Sequence, residues 1–381
     1  MRRVAIMTGS RGEYGYIRPV IREIEACNDL DYSLIVTNLH LLSEFGYSLE
    51  EIERDGFRVS DKIYMALDGY TPASMAKSLG VCLMGMTDSL MRLNPDLVLL
   101  AGDRGEQLMA AIAAAHMNIP VAHIQAGEVS GNIDGVTRHA IARFAHIHFA
   151  ANEDAAERLR KSGEQEFRIL LTGAPQLDEL VNGQFAGADE VANVFGVDLE
   201  KPLVLLVQHP VTEEYEDAGK QMCATLDAIC ELRHQTVAVF PNNDAGSDDA
   251  RQVLERYRRQ GLRIERNVPR RLYLGLMRVA SVMVGNSSSG LIEAPVLSLP
   301  AVNVGTRQRG RYRGENVIDV PAEQKAIQRA LTRALAPDFR ARLLGDCNKP
   351  YVSDGRVAMR IVEVLRTINI DERLLKKQLT Y

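Results

Sequence analysis

The chain has 381 residues, 46% hydrophobic and 25% charged, with a formal net charge of −5. That length exceeds one ordinary core, so two domains are expected. The acidic balance excludes a general nucleic-acid binder, which needs a basic face to displace counterions, while leaving room for a local basic pocket that takes one small anion.

The N-terminal MRRVAIMTGSRGEYG carries only the short apolar run VAIM, which suits a first strand rather than a signal peptide. No stretch approaches the roughly 20 apolar residues of a membrane helix, so no membrane partner is expected. From VAIMT (4–8) onward, short apolar runs alternate with segments of helical period. A helix is predicted over 15–27, a strand over 32–37, and helices near 42–54 and 73–93. Strand DLVLLAG (96–102), a helix near 105–117, strand PVAHIQA (120–126), a helix near 136–144, strand HIHFAAN (146–152), a helix capped by Asn152 and strand RILLTG (168–173) complete the first half. The pattern loosens over 181–200 and restarts with LVLLVQH (203–209), QTVAVFP (235–241), RIERN (263–267), VASVMVGN (279–286) and PAVNVG (300–305).

Nearly continuous apolar strands between helices predict parallel sheets covered on both faces. The fold class is therefore α/β, with two Rossmann-like doubly wound domains facing across a cleft. The expected units are 1–180, 181–355 and a C-terminal helical segment, 356–381, packing across both. Five cysteines (Cys27, Cys82, Cys223, Cys230 and Cys347) form no C-x-x-C pair and are odd in number. They read as reduced thiols of a cytoplasmic protein, not as disulfides or zinc ligands.

Ligands of open parallel sheets bind outside the carboxyl ends of the strands, and the residues there are the polar, glycine-rich stretches of this chain. GSRGEYG (9–15) brings Arg11, Glu13 and free backbone N–H groups to a helix start; it fits an anion site or an ordinary strand-to-helix turn. GDR (102–104) presents Asp103 and Arg104. The stretch 125–139 presents Gln125, Glu128, Asp134, Arg138 and His139. Asp103, Glu128 and Asp134 can converge on one substrate carbon, and crowded carboxylates have raised pKa values suited to general acid or base work. Singly, each has the alternative of capping a helix.

His209 in QHP follows the first strand of the second half and is placed to donate to a leaving phosphate oxygen. Asn242 and Asp244 lie in PNNDAGS. GNSSSG (285–290) offers Asn286, Ser287 and Ser288 ahead of a helix expected from Leu291, with Glu293 able to accept from two neighbouring hydroxyls. GTRQRGRYRGEN (305–316) gathers Arg307, Arg309, Arg311 and Arg313, a local positive patch suited to a diphosphate or a solvated basic loop. His123, His146 and His148 read as packing or strand-surface histidines. No metal is expected, because no carboxylate or third histidine stands at ligand spacing.

Taken together and in order, GDR, HIQAGEVSGNIDG…RHAI, QHPVT, PNNDAGS, GNSSSG…E and GTRQRGR…GEN resemble the hydrolysing UDP-N-acetylglucosamine 2-epimerases, from Arg11 to about residue 370. The resemblance implies a glycosyltransferase-B type fold with the UDP-sugar between its domains and no cofactor. It implies loss of the C2 proton and of UDP by anti elimination, giving a 2-acetamidoglucal. Water addition then yields a manno-configured free sugar, as in sialic or legionaminic acid biosynthesis. It assigns Asp103, Glu128 and Asp134 to the acid/base set and His209 to the departing diphosphate. Arg11, Ser287, Ser288 and Arg311 go to the phosphates, Glu293 to the ribose, and Asn242–Asp244 to the nucleotide. Family members associate, so a homodimer or homotetramer is expected.

Two departures stand out. The family motif HIEGGE is HIQAGE here, so Gln125 replaces a carboxylate, and the paired aspartates are reduced to Asp134–Gly135. An amide cannot act as a base near neutral pH, but it can hold a hydroxyl or acetamido group. A donor with a neutral amide at C4 and a methyl at C6, the UDP-linked 2,4-diacetamido-2,4,6-trideoxyglucose (N,N′-diacetylbacillosamine), fits that change. A glycosyltransferase of the same fold and a non-hydrolysing epimerase are the alternatives.

Overall fold

The computed structural model of the protein describes residues 1–259, 262–345 and 348–380; Cys347 lies outside them. The first sheet takes β1 (Arg2–Thr8), β2 (Leu30–Thr37), β3 (Val59–Ile63), β4 (Leu97–Ala101), β5 (Val121–Ile124), β6 (Ile147–Ala150) and β7 (Ile169–Leu171). Their spatial order is β3-β2-β1-β4-β5-β6-β7. The second takes β8 (Leu203–Val207), β9 (Gln235–Val239), β10 (Arg263–Glu265), β11 (Val282–Gly285), β12 (Ala301–Val304) and β13 (Val317–Val320), in the order β10-β9-β8-β11-β12-β13. All pairings are parallel.

The continuous apolar runs follow from burial on both faces. In β1, Val4 and Ile6 feed one helical layer while Ala5 and Met7 feed the opposite one. Strand order reverses between β1 and β4, and again between β8 and β11, so each sheet has its crevice at those carboxyl ends.

Several elements differ from the sequence expectation. The first helix is Arg11–Glu25, because Ser10 caps it and Glu13 closes a capping box, donors that a start at Gly15 would leave unpaired. The segment 42–54 is a 3-10 turn (Ser43–Phe45) followed by a short helix (Leu49–Arg54). The helix after β5 starts at Ile133, so Asp134 stands in its first turn rather than in the preceding loop. The helix after β11 covers only Ser289–Ile292. β3 and β13 have no counterpart in the predicted strands; both are edge strands with half-exposed patterns.

The C-terminal helix Val357–Thr367 does not straddle both halves. Val357, Ile361 and Leu365 pack with Ile17, Val20 and Ile24 of the first helix, over the first sheet. Beyond it, Lys377 Nζ reaches the Ala142 and Ala145 carbonyls (2.5 and 2.7 Å) at the end of the helix that carries Asp134. No described helix is long and apolar enough to cross a membrane. Cys27, Cys82, Cys223 and Cys230 are free thiols.

Candidate active site

The carboxyl ends of both sheets enclose two cavities that share Arg104. The first, about 140 Å³, lies between the turns after β1 and β4 and those after β8 and β11. The second, about 220 Å³, lies between the start of the helix Pro72–Leu93, the helix Ile133–Phe144 and the loop after β9.

One end of the first cavity is built for an anion. Arg11 crosses from the first sheet to the second and donates to the Arg266 and Phe240 carbonyls, 2.8 Å each. Among the described residues no carboxylate lies within ion-pair distance of it, and burial pushes its pKa down to about 10. Ser287, Ser288 and Ser289 share this wall with Arg307. His209 is buried there; burial, and then the charges of Arg307, Arg11 and Arg104, hold its pKa well below the usual range, so the ring is neutral. Its Nδ1 accepts the Asn242 N–H at 3.0 Å, which leaves the proton on Nε2 as a donor. The Asn286 side chain exchanges two bonds with the His209 backbone (2.7 and 2.8 Å) and so fixes the ring's position from behind. Glu293 lines the cavity and is held by Arg270 at 2.9 Å.

Two aspartates stand in opposite environments, Asp103 at the first cavity and Asp134 at the second. Arg138 pairs with Asp103, and Ser130 Oγ donates to it at 3.1 Å. Although burial works against ionisation, Arg138, Arg311 and Arg307 hold the Asp103 carboxyl down at about 2. Asp134 accepts from Asn132 at 2.9 Å and lies 3.6 Å from Arg307. Burial, then the Asp103 charge, push its carboxyl up to about 6. Of these two, Asp134 has the raised value expected of crowded carboxylates; Asp103 departs from that expectation because three guanidinium groups act on it. Arg104, between the cavities, pairs with Asp244 at 2.8 Å and Glu106 at 3.2 Å, and its Nη1 has no hydrogen-bond partner among the described residues.

The structure brings Arg11, Asp103, Arg104, His209, Asn242, Ser287, Ser288 and Glu293 to the first cavity, and Asp134 and Asp244 to the second. Others stand elsewhere or serve differently. Glu13 lines the first cavity, but its carboxyl accepts the Gly9 and Ser10 N–H groups (2.6 and 3.0 Å) as the helix cap. Arg311 is not at the phosphate end. Its guanidinium is taken up by Glu128 (2.6 Å), Gln125 Oε1 (3.2 Å) and the Tyr351 hydroxyl (3.4 Å). Glu128, so paired, is a clamp between the domains rather than a free acid or base. Gln125 is fully buried behind that clamp, in left-handed backbone (φ 61°), and lines neither cavity. Arg138 holds Asp103 and the Gln125 carbonyl, and half-buried His139 lines neither cavity.

Sequence reasoning passed over Arg270 and Tyr273, which line the first cavity from the first turn of the helix Arg270–Val279 that follows β10. The carboxyl-end rule applied to RIERN would have found them. The resemblance assigned Arg311 rather than Arg307 to the phosphates, although Arg307 is nearer the end of β12. His123, His146 and His148 are structural. His123 donates to the Gly102 carbonyl (2.6 Å), His148 meets Glu164 (2.9 Å), and His146 accepts the Val121 N–H (3.1 Å). Among the described residues no cluster of His, Cys, Asp or Glu is placed to hold a metal.

The glycines of the 127–135 loop serve close packing. Gly131 donates to the Arg307 carbonyl at 2.8 Å, and a Cβ there would overlap the Thr306 carbonyl oxygen of the facing domain. Gly127 (φ 79°) abuts the Ala155 carbonyl in the same way.

The family model described as UDP-N-acetylglucosamine 2-epimerase matches residues 22–366. The chain is 37% identical over 384 residues to the hydrolysing UDP-N,N′-diacetylbacillosamine 2-epimerase of Legionella pneumophila, covering 99% of each. It is 30% identical to the hydrolysing GDP/UDP-N,N′-diacetylbacillosamine 2-epimerase of Campylobacter jejuni, covering 89% of each. Its fold matches the crystal structure of UDP-GlcNAc 2-epimerase from Neisseria meningitidis bound to UDP-GlcNAc, with a TM-score of 0.78 and 20% identity over 96% of this chain and 99% of that one.

Proposed function

The chain belongs to the UDP-N-acetylglucosamine 2-epimerase family, and we propose that it is a hydrolysing 2-epimerase acting on a UDP-linked 2-acetamido sugar. The observation that carries the reading is the pair of aspartates where the cavities meet: Asp103 is held in an ion pair by Arg138, while Asp134, 3.6 Å from Arg307, is pushed up by burial and then by the Asp103 charge. Two carboxyls pushed apart by their surroundings mark an acid/base centre, and a base near neutrality is the efficient one.

In this mechanism Asp134 takes the C2 proton. The electrons of that bond form the C1–C2 double bond, and the C1–oxygen bond breaks as UDP leaves from the opposite face. Arg11, Arg307, Ser287 and Ser288 hold the diphosphate, and the His209 Nε2–H donates to the departing oxygen. Glu293 accepts the ribose hydroxyls. Water then adds across the glycal, with oxygen on C1 and a proton on the other face of C2, releasing the manno-configured sugar. Asp103 stays ionised throughout; its charge keeps Asp134 basic.

Of the two donors weighed, the names of the Legionella and Campylobacter relatives favour UDP-N,N′-diacetylbacillosamine over UDP-N-acetylglucosamine. That choice assigns the enzyme to nonulosonic (legionaminic or sialic) acid biosynthesis in the cytoplasm. Association as a homodimer or homotetramer goes with the same reading, and light scattering tests it. The decisive experiment is a proton NMR time course in deuterated water with each donor. UDP release with C2-deuterated manno sugar is the expected result. Sugar transfer or hydrolysis without deuterium at C2 would replace this reading with the glycosyltransferase one.

A further inference from the structure

We infer that the second cavity is the specificity chamber for the C4 and C6 substituents of the donor, built for an acetamido group and a methyl rather than two hydroxyls. This rests on the proposed function and deepens it. With C2 at Asp134 and C1 over the diphosphate end, the rest of the ring runs into the space beside Asp134, and that space is the second cavity.

Its wall is unexpectedly apolar for a sugar site. Met65, Leu67, Tyr70, Met75, Leu79 and Ile133 form it. Leu67 and Ile133 are 42% and 44% exposed, apolar surface that a ligand would cover. Several polar groups at the rim are engaged; among the described residues the Thr137 and Thr212 hydroxyls are not. Ser78 Oγ donates to the Ser74 carbonyl (2.8 Å) and accepts the Leu67 N–H (3.0 Å). Asp244 and Glu106 serve Arg104, and Asn38 is bonded to Asn243 (2.6 Å) and Glu106 (2.8 Å). A C4 or C6 hydroxyl pushed among the apolar side chains loses its water without full replacement. A methyl at C6 and an acetamido methyl gain by burial there. A candidate donor for the acetamido carbonyl at the junction is Arg104 Nη1, which has no hydrogen-bond partner among the described residues. The second domain closes the chamber through Asn243 and Asp244, and the Ala245 N–H lies 3.0 Å from Met75 Sδ.

The test is the ratio of kcat/KM for the diacetamido donor over UDP-N-acetylglucosamine, in the wild type and in Leu79→Ser and Leu67→Ser. One methyl in an apolar pocket discriminates by about 10- to 200-fold. The wild-type ratio should exceed about tenfold and fall by a comparable factor in the variants. Leu79 packs on Gly105, so its loss touches the fold as well; Leu67 is at the mouth and keeps the test clean. A wild-type preference that survives both substitutions overturns the chamber. So does equal use of the two donors or preference for UDP-N-acetylglucosamine, while leaving hydrolytic epimerisation intact. Absence of UDP release from either donor by the wild type overturns the function itself, and the chamber with it.

Discussion

Replacing Arg307 by Gln should move the acidic limb of the pH profile upward. Arg307 lies 3.6 Å from Asp134, and both side chains are mostly shielded (13% and 14% exposed). A unit-charge pair at that separation is worth about 1.2 kcal/mol at the dielectric of water, roughly 80, and about 4.6 kcal/mol at an effective value of roughly 20. Dividing by about 1.36 kcal/mol per unit, the Asp134 pKa should rise by about 1 to 3 units when the cation is lost. Asp134 must be ionised to take the C2 proton, so wild-type kcat/KM should fall as pH drops through about 6. In Arg307→Gln the same fall should begin between about pH 7 and 9, on top of a weaker hold on the diphosphate. The assay is initial-rate UDP release at limiting donor, from pH 4.5 to 9.5. A limb that stays near 6, or moves down, would refute the assignment of Asp134 as the titrating base.

Three further outcomes follow from the same geometry. Asp134→Asn should lower kcat by about 10²- to 10⁴-fold and abolish deuterium exchange at C2, with thermal stability retained. Glu128→Ala leaves the Arg311 guanidinium buried without its ion-pair partner and should destabilise the fold by about 3–5 kcal/mol, read as a lowered unfolding midpoint in calorimetry. A role for Glu128 in proton transfer would instead show as lost turnover at unchanged stability. Gly131→Ala should cost about 1–3 kcal/mol and reduce kcat/KM, since the added methyl forces the 127–135 loop off the Thr306–Arg309 backbone; circular dichroism should remain that of the wild type.

Most of the architecture was legible because a strand buried on both faces has to be apolar throughout. LVLLA and VAHI admit little else. The edge strands VSDKI and VIDV were not legible, since one flank meets solvent and their composition resembles a loop. The site was legible to the level of loops, because polar, glycine-rich turns mark the carboxyl edge. Roles within a loop were not, because they depend on pairing across the cleft. Arg307 and Arg311 are equivalent in the sequence. One lies at a cavity wall beside Asp134, and the other is consumed by a carboxylate from the opposite domain. Gln125 shows the same limit. The resemblance suggested a sugar contact for it, whereas its side-chain oxygen accepts from Arg311 behind the site.

The clamp has a kinetic meaning. Arg311–Glu128, Arg104–Asp244, Arg11 on the Phe240 carbonyl and Gly131 on Thr306–Arg309 all join one domain to the other around the site. Domain opening would have to break these contacts. Where donor entry and UDP release need that opening, as in enzymes gated by domain closure, opening rather than C–H cleavage sets the turnover rate. A donor deuterated at C2 should slow the first turnover while leaving the steady-state rate unchanged.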